Sequence, residues 1–106
     1  MMKPREFLGS SQDDIRAMPS AVRHALGLEL MRVQFGGEPS DLKPMQSVGA
    51  GAFEIRVRDA SGAFRVIYVA KFIDAVYVLH AFRKKAQKTR KEDIELAARR
   101  YRMIGG

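Results

Sequence analysis

Between Phe53 and Arg58 the chain alternates without a break: Phe53, Ile55 and Val57 on one parity, Glu54, Arg56 and Arg58 on the other. Successive side chains project to opposite faces only in an extended strand, so this stretch predicts a β-strand with one apolar and one wet, charged face. The turn signal DASGAF follows, then the apolar run FRVIYVA, a second turn at KFID and the run AVYVLHAF. Three strands joined by short turns predict an antiparallel meander. The second and third runs are apolar on both parities, which marks them as central strands covered more fully than the first.

Helical patterns bracket this sheet. Ser10 or Ser11 ahead of QDDIRAM reads as a helix start, a hydroxyl capping free N–H groups while Asp13 and Asp14 sit at the positive end of the dipole. Pro19 opens a second helix in which Val22, Leu26, Leu30 and Val33 recur at helical spacing until Gly36-Gly37 stop it. The two form a helical hairpin, the natural cover for one face of the sheet. EPSDLKPM, with its two prolines, reads as an irregular connector. Thr89 to Glu92 match a capping box, and Ile94, Ala97, Ala98 and Tyr101 give the helix that follows a narrow apolar stripe. At 106 residues the chain has room for one core, so residues 1–106 form a single domain. Its class is α+β: an N-terminal helical hairpin packed on a small antiparallel sheet of three to four strands, then a C-terminal helix.

Charge narrows the function. The net charge is +7, and the stretch from Arg83 to Arg102 holds nine Lys/Arg against three acids, so a fifth of the chain supplies +6 of it. Such asymmetry points to a polyanion or an acidic protein partner, and its plain alternative is a solvated surface that aids solubility. The absence of cysteine excludes a disulfide framework and thiolate metal sites, so no metal is expected. Apolar runs fall far short of a membrane span and MMKPREFLGSS lacks a signal-peptide core, which predicts a cytoplasmic protein without membrane contact. GAGAF lacks the Lys-Ser/Thr and following helix of a phosphate-binding loop and reads as a flexible entry into the first strand, so no cofactor is expected.

If the strands pair as a meander, cations from four regions converge at one rim: Arg56 and Arg58, Arg65, the group Arg83 to Lys85, and Lys88 with Arg90 and Lys91. Guanidinium and ammonium groups suit phosphate. RNA can be cut without a metal, because its 2′-hydroxyl can attack the adjacent phosphate once a proton is removed, another donated and the added charge stabilised. His80 is the titratable candidate, with Arg65, Lys84 and Lys85 as charge stabilisers. Against this, a lone histidine near a strand end is commonly a packed, hydrogen-bonded residue, and Arg56 and Arg58 fit a simple wet strand face. His24 reads as a surface residue. Phe53, Phe64, Tyr68, Tyr77 and Phe82 read as core or cross-strand pairs, with Phe82 or Tyr77 also placed to stack on a base, and Tyr101 as a helix-packing residue.

From Phe53 to Tyr101, through the strand EIRV, the run FRVIYV and the segment HAFRKKAQKT, the chain resembles small toxins of the RelE/ParE superfamily, in the HigB-like, phage-related branch. KPM at Lys43 to Met45 and the preceding hairpin agree more loosely. The resemblance implies a toxin of a type II toxin–antitoxin pair, held by a small antitoxin, expected to be a helix-turn-helix protein, and cutting messenger RNA on the ribosome as a metal-independent endoribonuclease. By position it implies catalytic roles for Arg65, Lys84 and Lys85, with His80 and Arg83 beside them; the other converging cations, Arg56, Arg58, Lys88, Arg90 and Lys91, are expected with Arg83 to bind the RNA. The chain has Thr89-Arg90 where the branch commonly has Thr-Pro, and Tyr101 lies far along the helix for a catalytic tyrosine, which leaves the acid and base open. Two other readings keep the fold: a ParE-like module acting on DNA gyrase without catalysis, and a phage-derived protein that binds nucleic acid by charge.

Overall fold

The computed structural model describes residues 2–105. Eight elements follow one another: β1 (Arg5–Phe7), α1 (Ser11–Arg16), α2 (Ser20–Gln34), β2 (Leu42–Pro44), β3 (Ala52–Asp59), β4 (Gly62–Val69), β5 (Val76–Arg83) and α3 (Lys91–Tyr101). The predicted meander is β3-β4-β5, and its two doubly apolar strands hold the middle of a five-stranded sheet ordered β1-β5-β4-β3-β2. All neighbours are antiparallel except β1 and β5.

The sheet therefore has two strands more than the meander. Residues 42–44, read as connector, form the edge strand β2, with Leu42 opposite Ile55 and Pro44 opposite Phe53. An edge tolerates proline because one side of the strand needs no N–H donor. β1 is three residues long, too short for a periodic signal, and is fixed from outside: the Leu8 N–H donates to the Val78 carbonyl, and the Arg5 guanidinium to Gln34 Oε1 and the Gly27 carbonyl.

Each face has its own core. Val22, Leu26, Leu30 and Val33 of α2 pack on Ile55, Phe64, Val66, Val76, Val78 and Ala81. On the other face Ala97, Ile94 and Tyr101 of α3, with Met45 and Val48, cover Ala52, Ile67, Val69 and Leu79. Burying each large aliphatic side chain contributes roughly 1.5–3 kcal/mol, so both helices are held mainly by these contacts. Gly49 is needed here, since a Cβ on it would lie 2.6 Å from the Tyr101 ring. The helix ends also depart from expectation. Neither α1 nor α3 has a side-chain cap: Ser10 Oγ donates to Asp14, Ser11 Oγ to the Val78 carbonyl, and Thr89 turns away from Glu92 altogether.

Candidate nucleic-acid interface

Strand register lays the candidate residues out as a grid on the face that α3 only partly covers. Arg56 is opposite Arg65, and Arg65 is opposite Phe82. One row toward α3 stand Glu54, Ile67 and His80; one row away stand Arg58, Ala63 and Lys84, whose N–H donates to the Ala63 carbonyl. Lys84 is thus a diagonal neighbour of Arg65, about 7–8 Å away between backbones. A register shift between Ile67 and Tyr68 inserts Leu79 as an extra residue of β5. Such a bulge turns two consecutive side chains to one side, so that Leu79 fills the core under α3 while His80 stands at its rim.

Glu54, read from the sequence as part of a wet face, is fully buried. Its Oε1 lies 3.4 Å from Arg65 Nε and 3.6 Å from Arg56 Nε, and its Oε2 accepts from Thr89 Oγ1 at 2.6 Å. Two guanidiniums directly opposite each other repel unless an anion stands between them. Arg65 is 4% exposed, and burial lowers its pKa below the ordinary arginine value. Partial desolvation first, then Arg65, Arg58 and Arg56, lower the Lys84 ammonium below its ordinary value, opposed by Glu54. The face is a concentrated cationic field with one buried counter-charge.

His80 is buried, its ring stacked on Phe82 with centroids 4.8 Å apart. Its Nε2 is 2.7 Å from Asp93 Oδ1, and its Nδ1 is buried without a partner. A carboxylate only accepts, so Nε2 carries the hydrogen and Nδ1 is left as the free proton site of the neutral ring. An open cleft of about 520 Å³ curls round the free edge of β5 beside this pair, lined by Met18, Phe64, His80, Arg83, Lys85 and Arg90 among others.

The candidate set is therefore divided. Arg56, Arg58, Arg65 and Lys84 share the sheet face with His80. Lys85 and Arg90 line the β5-edge cleft instead, and the Arg83 guanidinium turns to the opposite face, over the Phe64 ring and onto the Ser61 carbonyl. The expected single convergence of Arg65 with both Lys84 and Lys85 is thus corrected to two adjoining cationic surfaces, because successive residues leaving a strand point to opposite sides. Lys88 is exposed on the segment between β5 and α3, and Lys91 is 85% exposed, paired with Glu95 at 3.7 Å on the outside of α3. His24 is exposed, and Tyr101 packs on α3's side of the sheet, its hydroxyl donating to the Ala50 carbonyl.

Glu54, Thr89 and Asp93 were missing from the sequence-derived set. A signal for Glu54 exists: once the turn fixes Asp59 opposite Gly62, Arg56 must face Arg65, and Glu54 is the nearest acid on that face. Asp93 has no comparable signal, since thirteen residues separate it from His80 and only the fold joins them. Among the described residues no group of three or more His, Cys, Asp or Glu could hold a metal ion, and no helix is long and apolar enough to cross a membrane.

Comparison with known proteins agrees with this architecture. Residues 13–102 match the family model described as "Phage derived protein Gp49-like (DUF891)". The structure of a double arginine-to-alanine mutant of the E. coli toxin RelE in the free state superposes with a TM-score of 0.67 at 18% identity, over 98% of this chain and 99% of that one. Among curated proteins none matches. The chain belongs to the Gp49-like family of phage-derived proteins, and its fold is that of RelE.

Proposed function

We propose that this protein is the toxin of a type II toxin–antitoxin pair, of the HigB-like branch, and cleaves messenger RNA on the ribosome without a metal, until a small helix-turn-helix antitoxin sequesters it in the cytoplasm. The observation that carries the proposal is the cationic face of Arg56, Arg58, Arg65 and Lys84, with the Asp93-bound imidazole of His80 one row away. An RNA backbone laid across this face meets Arg58, Lys84 and the partly exposed Arg56 first. Once a local shift uncovers its buried ring, His80 Nδ1 accepts the proton of the 2′-hydroxyl, whose oxygen forms a bond to phosphorus as the bond to the 5′-oxygen breaks, and a protonated group or water returns a proton to that oxygen. Cations held before the substrate arrives stabilise the added negative charge without reorganising. Lys85, Arg83 and Arg90 extend phosphate binding into the edge cleft, and Phe82 offers a ring for base stacking.

Inducing the protein alone should arrest growth and fragment translated messages, and Lys84→Ala or Arg65→Ala should relieve both. Intact messages with growth arrest would overturn the nuclease reading. One observation favours a second reading: Arg65 is buried and engaged with Glu54, as a structural arginine would be. A ParE-like, non-catalytic binding module would then produce gyrase-trapped DNA breaks instead of RNA fragments.

A further inference from the structure

Glu54 joins three parts of the chain, and one of them lies outside the sheet. The main chain leaves β5 at Lys84, yet five residues later Thr89 donates its hydroxyl hydrogen to Glu54 on β3. β4 lies between those strands, so the contact between Thr89 and Glu54 is made on the sheet face that carries Arg65. Nothing apolar holds it there. Lys85, Ala86, Gln87 and Lys88 are all exposed, and among the described residues Thr89 makes the one side-chain hydrogen bond from 85–90 to the sheet. A segment whose residues 85–88 are exposed and whose one side-chain anchor is Thr89 opens at a small fraction of the cost of global unfolding. Arg65 on that face is 4% exposed, so an anion reaches it only once its cover moves.

We propose that Glu54 and Thr89 are positioning residues that act together as a latch. Glu54 holds the Nε sides of Arg56 and Arg65, and through Thr89 it keeps the segment 85–90 closed over Arg65 until an RNA phosphate competes for the face. The proposal rests on reading this face as the RNA-binding one. A hydrogen bond to a carboxylate is stronger than a neutral one, which suits a contact that must close a short exposed segment alone. The latch gives the resting protein a covered arginine and leaves Arg58 and Lys84 to make first contact.

The test compares wild type, Thr89→Val, which keeps the shape and removes the donor, and Thr89→Ser, which restores it. Two readouts are taken: the rate of limited trypsin cleavage after Lys85, Lys88 and Arg90 in the free protein, and binding of a fluorescent mixed-sequence 2′-O-methyl oligoribonucleotide, which cannot be cut. Thr89→Val should be cleaved faster within 85–90 and bind roughly tenfold tighter, the size of one hydrogen bond to a charged group, with Thr89→Ser close to wild type. With cleavable RNA, KM should fall while kcat holds. Unchanged cleavage in Thr89→Val overturns the latch whatever the RNA does, and so does faster cleavage with affinity equal to or below that of wild type. Absence of RNA binding by all three proteins overturns the interface reading itself, and the latch over an RNA site with it. Faster cleavage with tighter binding, lost again in Thr89→Val carrying Arg65→Gln, confirms that Arg65 is the residue the latch covers.

Discussion

Arg56 and Arg65 face each other across the β3–β4 pair with Glu54 Oε1 3.6 and 3.4 Å from their Nε atoms, so the cationic face is built around one buried carboxylate. Removing one member of a buried ion pair strands the others, at a cost of about 3–5 kcal/mol, whereas removing both members is nearly neutral. Glu54→Gln should therefore destabilise the fold strongly in urea titrations. Adding Arg65→Met to Glu54→Gln should recover part of the loss, with a coupling of about 0.5–3 kcal/mol between the two sites. Strict additivity would show that Glu54 does not neutralise Arg65. Arg56, a third exposed, should couple more weakly because solvent screens it.

Lys84 supplies a pH signature. Burial and its three arginine neighbours lower its pKa, so its ammonium is lost at a lower pH than that of an ordinary lysine. RNA affinity should accordingly fall along an alkaline limb below the usual lysine range. Folding has the opposite sign: between the lowered folded value and the unfolded one, the unfolded chain binds more protons, so the Lys84 contribution to stability rises with pH there. Arg58→Gln removes one of the three cations and should move the affinity limb upward. Titrations of oligonucleotide binding in the two proteins check this, and Lys84→Gln should lack the limb.

Much of the fold was legible in the residues. Doubly apolar runs placed β4 and β5 at the centre because both faces of a central strand need cover, and the spacing from Val22 to Val33 gave α2 its buried stripe. What escaped was held by partners distant in sequence. β1 depends on Val78 and Gln34, and β2 on an edge where Pro44 is harmless, neither of which a local pattern reveals. At the candidate site, alternation correctly grouped Glu54, Arg56 and Arg58 on one face, but not whether that face was covered. The segment between β5 and α3 is bound to that face through Thr89, whose local spacing to Glu92 imitates a capping box. Lys84 and Lys85 looked equivalent as neighbours, and strand geometry sends them to different surfaces.

His80 and Asp93 separate catalysis from binding. If the imidazole transfers a proton while Asp93 fixes its ring, Asp93→Asn keeps the shape and loses the orienting charge, as does His80→Gln the base. Both should lower kcat, by roughly 10²–10⁴-fold for His80→Gln, and leave KM within a small factor. Lys85→Ala should do the reverse and raise KM. Single-turnover cleavage of a labelled message bound to ribosomes would measure each, and a His80→Gln enzyme with unchanged kcat would reduce His80 to a packed core residue stacked on Phe82.

The salt dependence of binding tests the map of the surface. Each phosphate neutralised on a single strand contributes about −0.7 to the slope of log K against log salt. Arg58 and Lys84 stand in the row farthest from α3, where a backbone would be met first, so Arg58→Gln and Lys84→Gln should each flatten the slope by about that amount. Lys91 carries the same charge but projects from α3 beside Glu95, away from the grid. Lys91→Gln should therefore leave the slope unchanged, although it lowers the net charge of the protein as much as either of the others. Equal flattening by all three would mean that the chain attracts RNA only through its overall charge, with no defined path across the sheet.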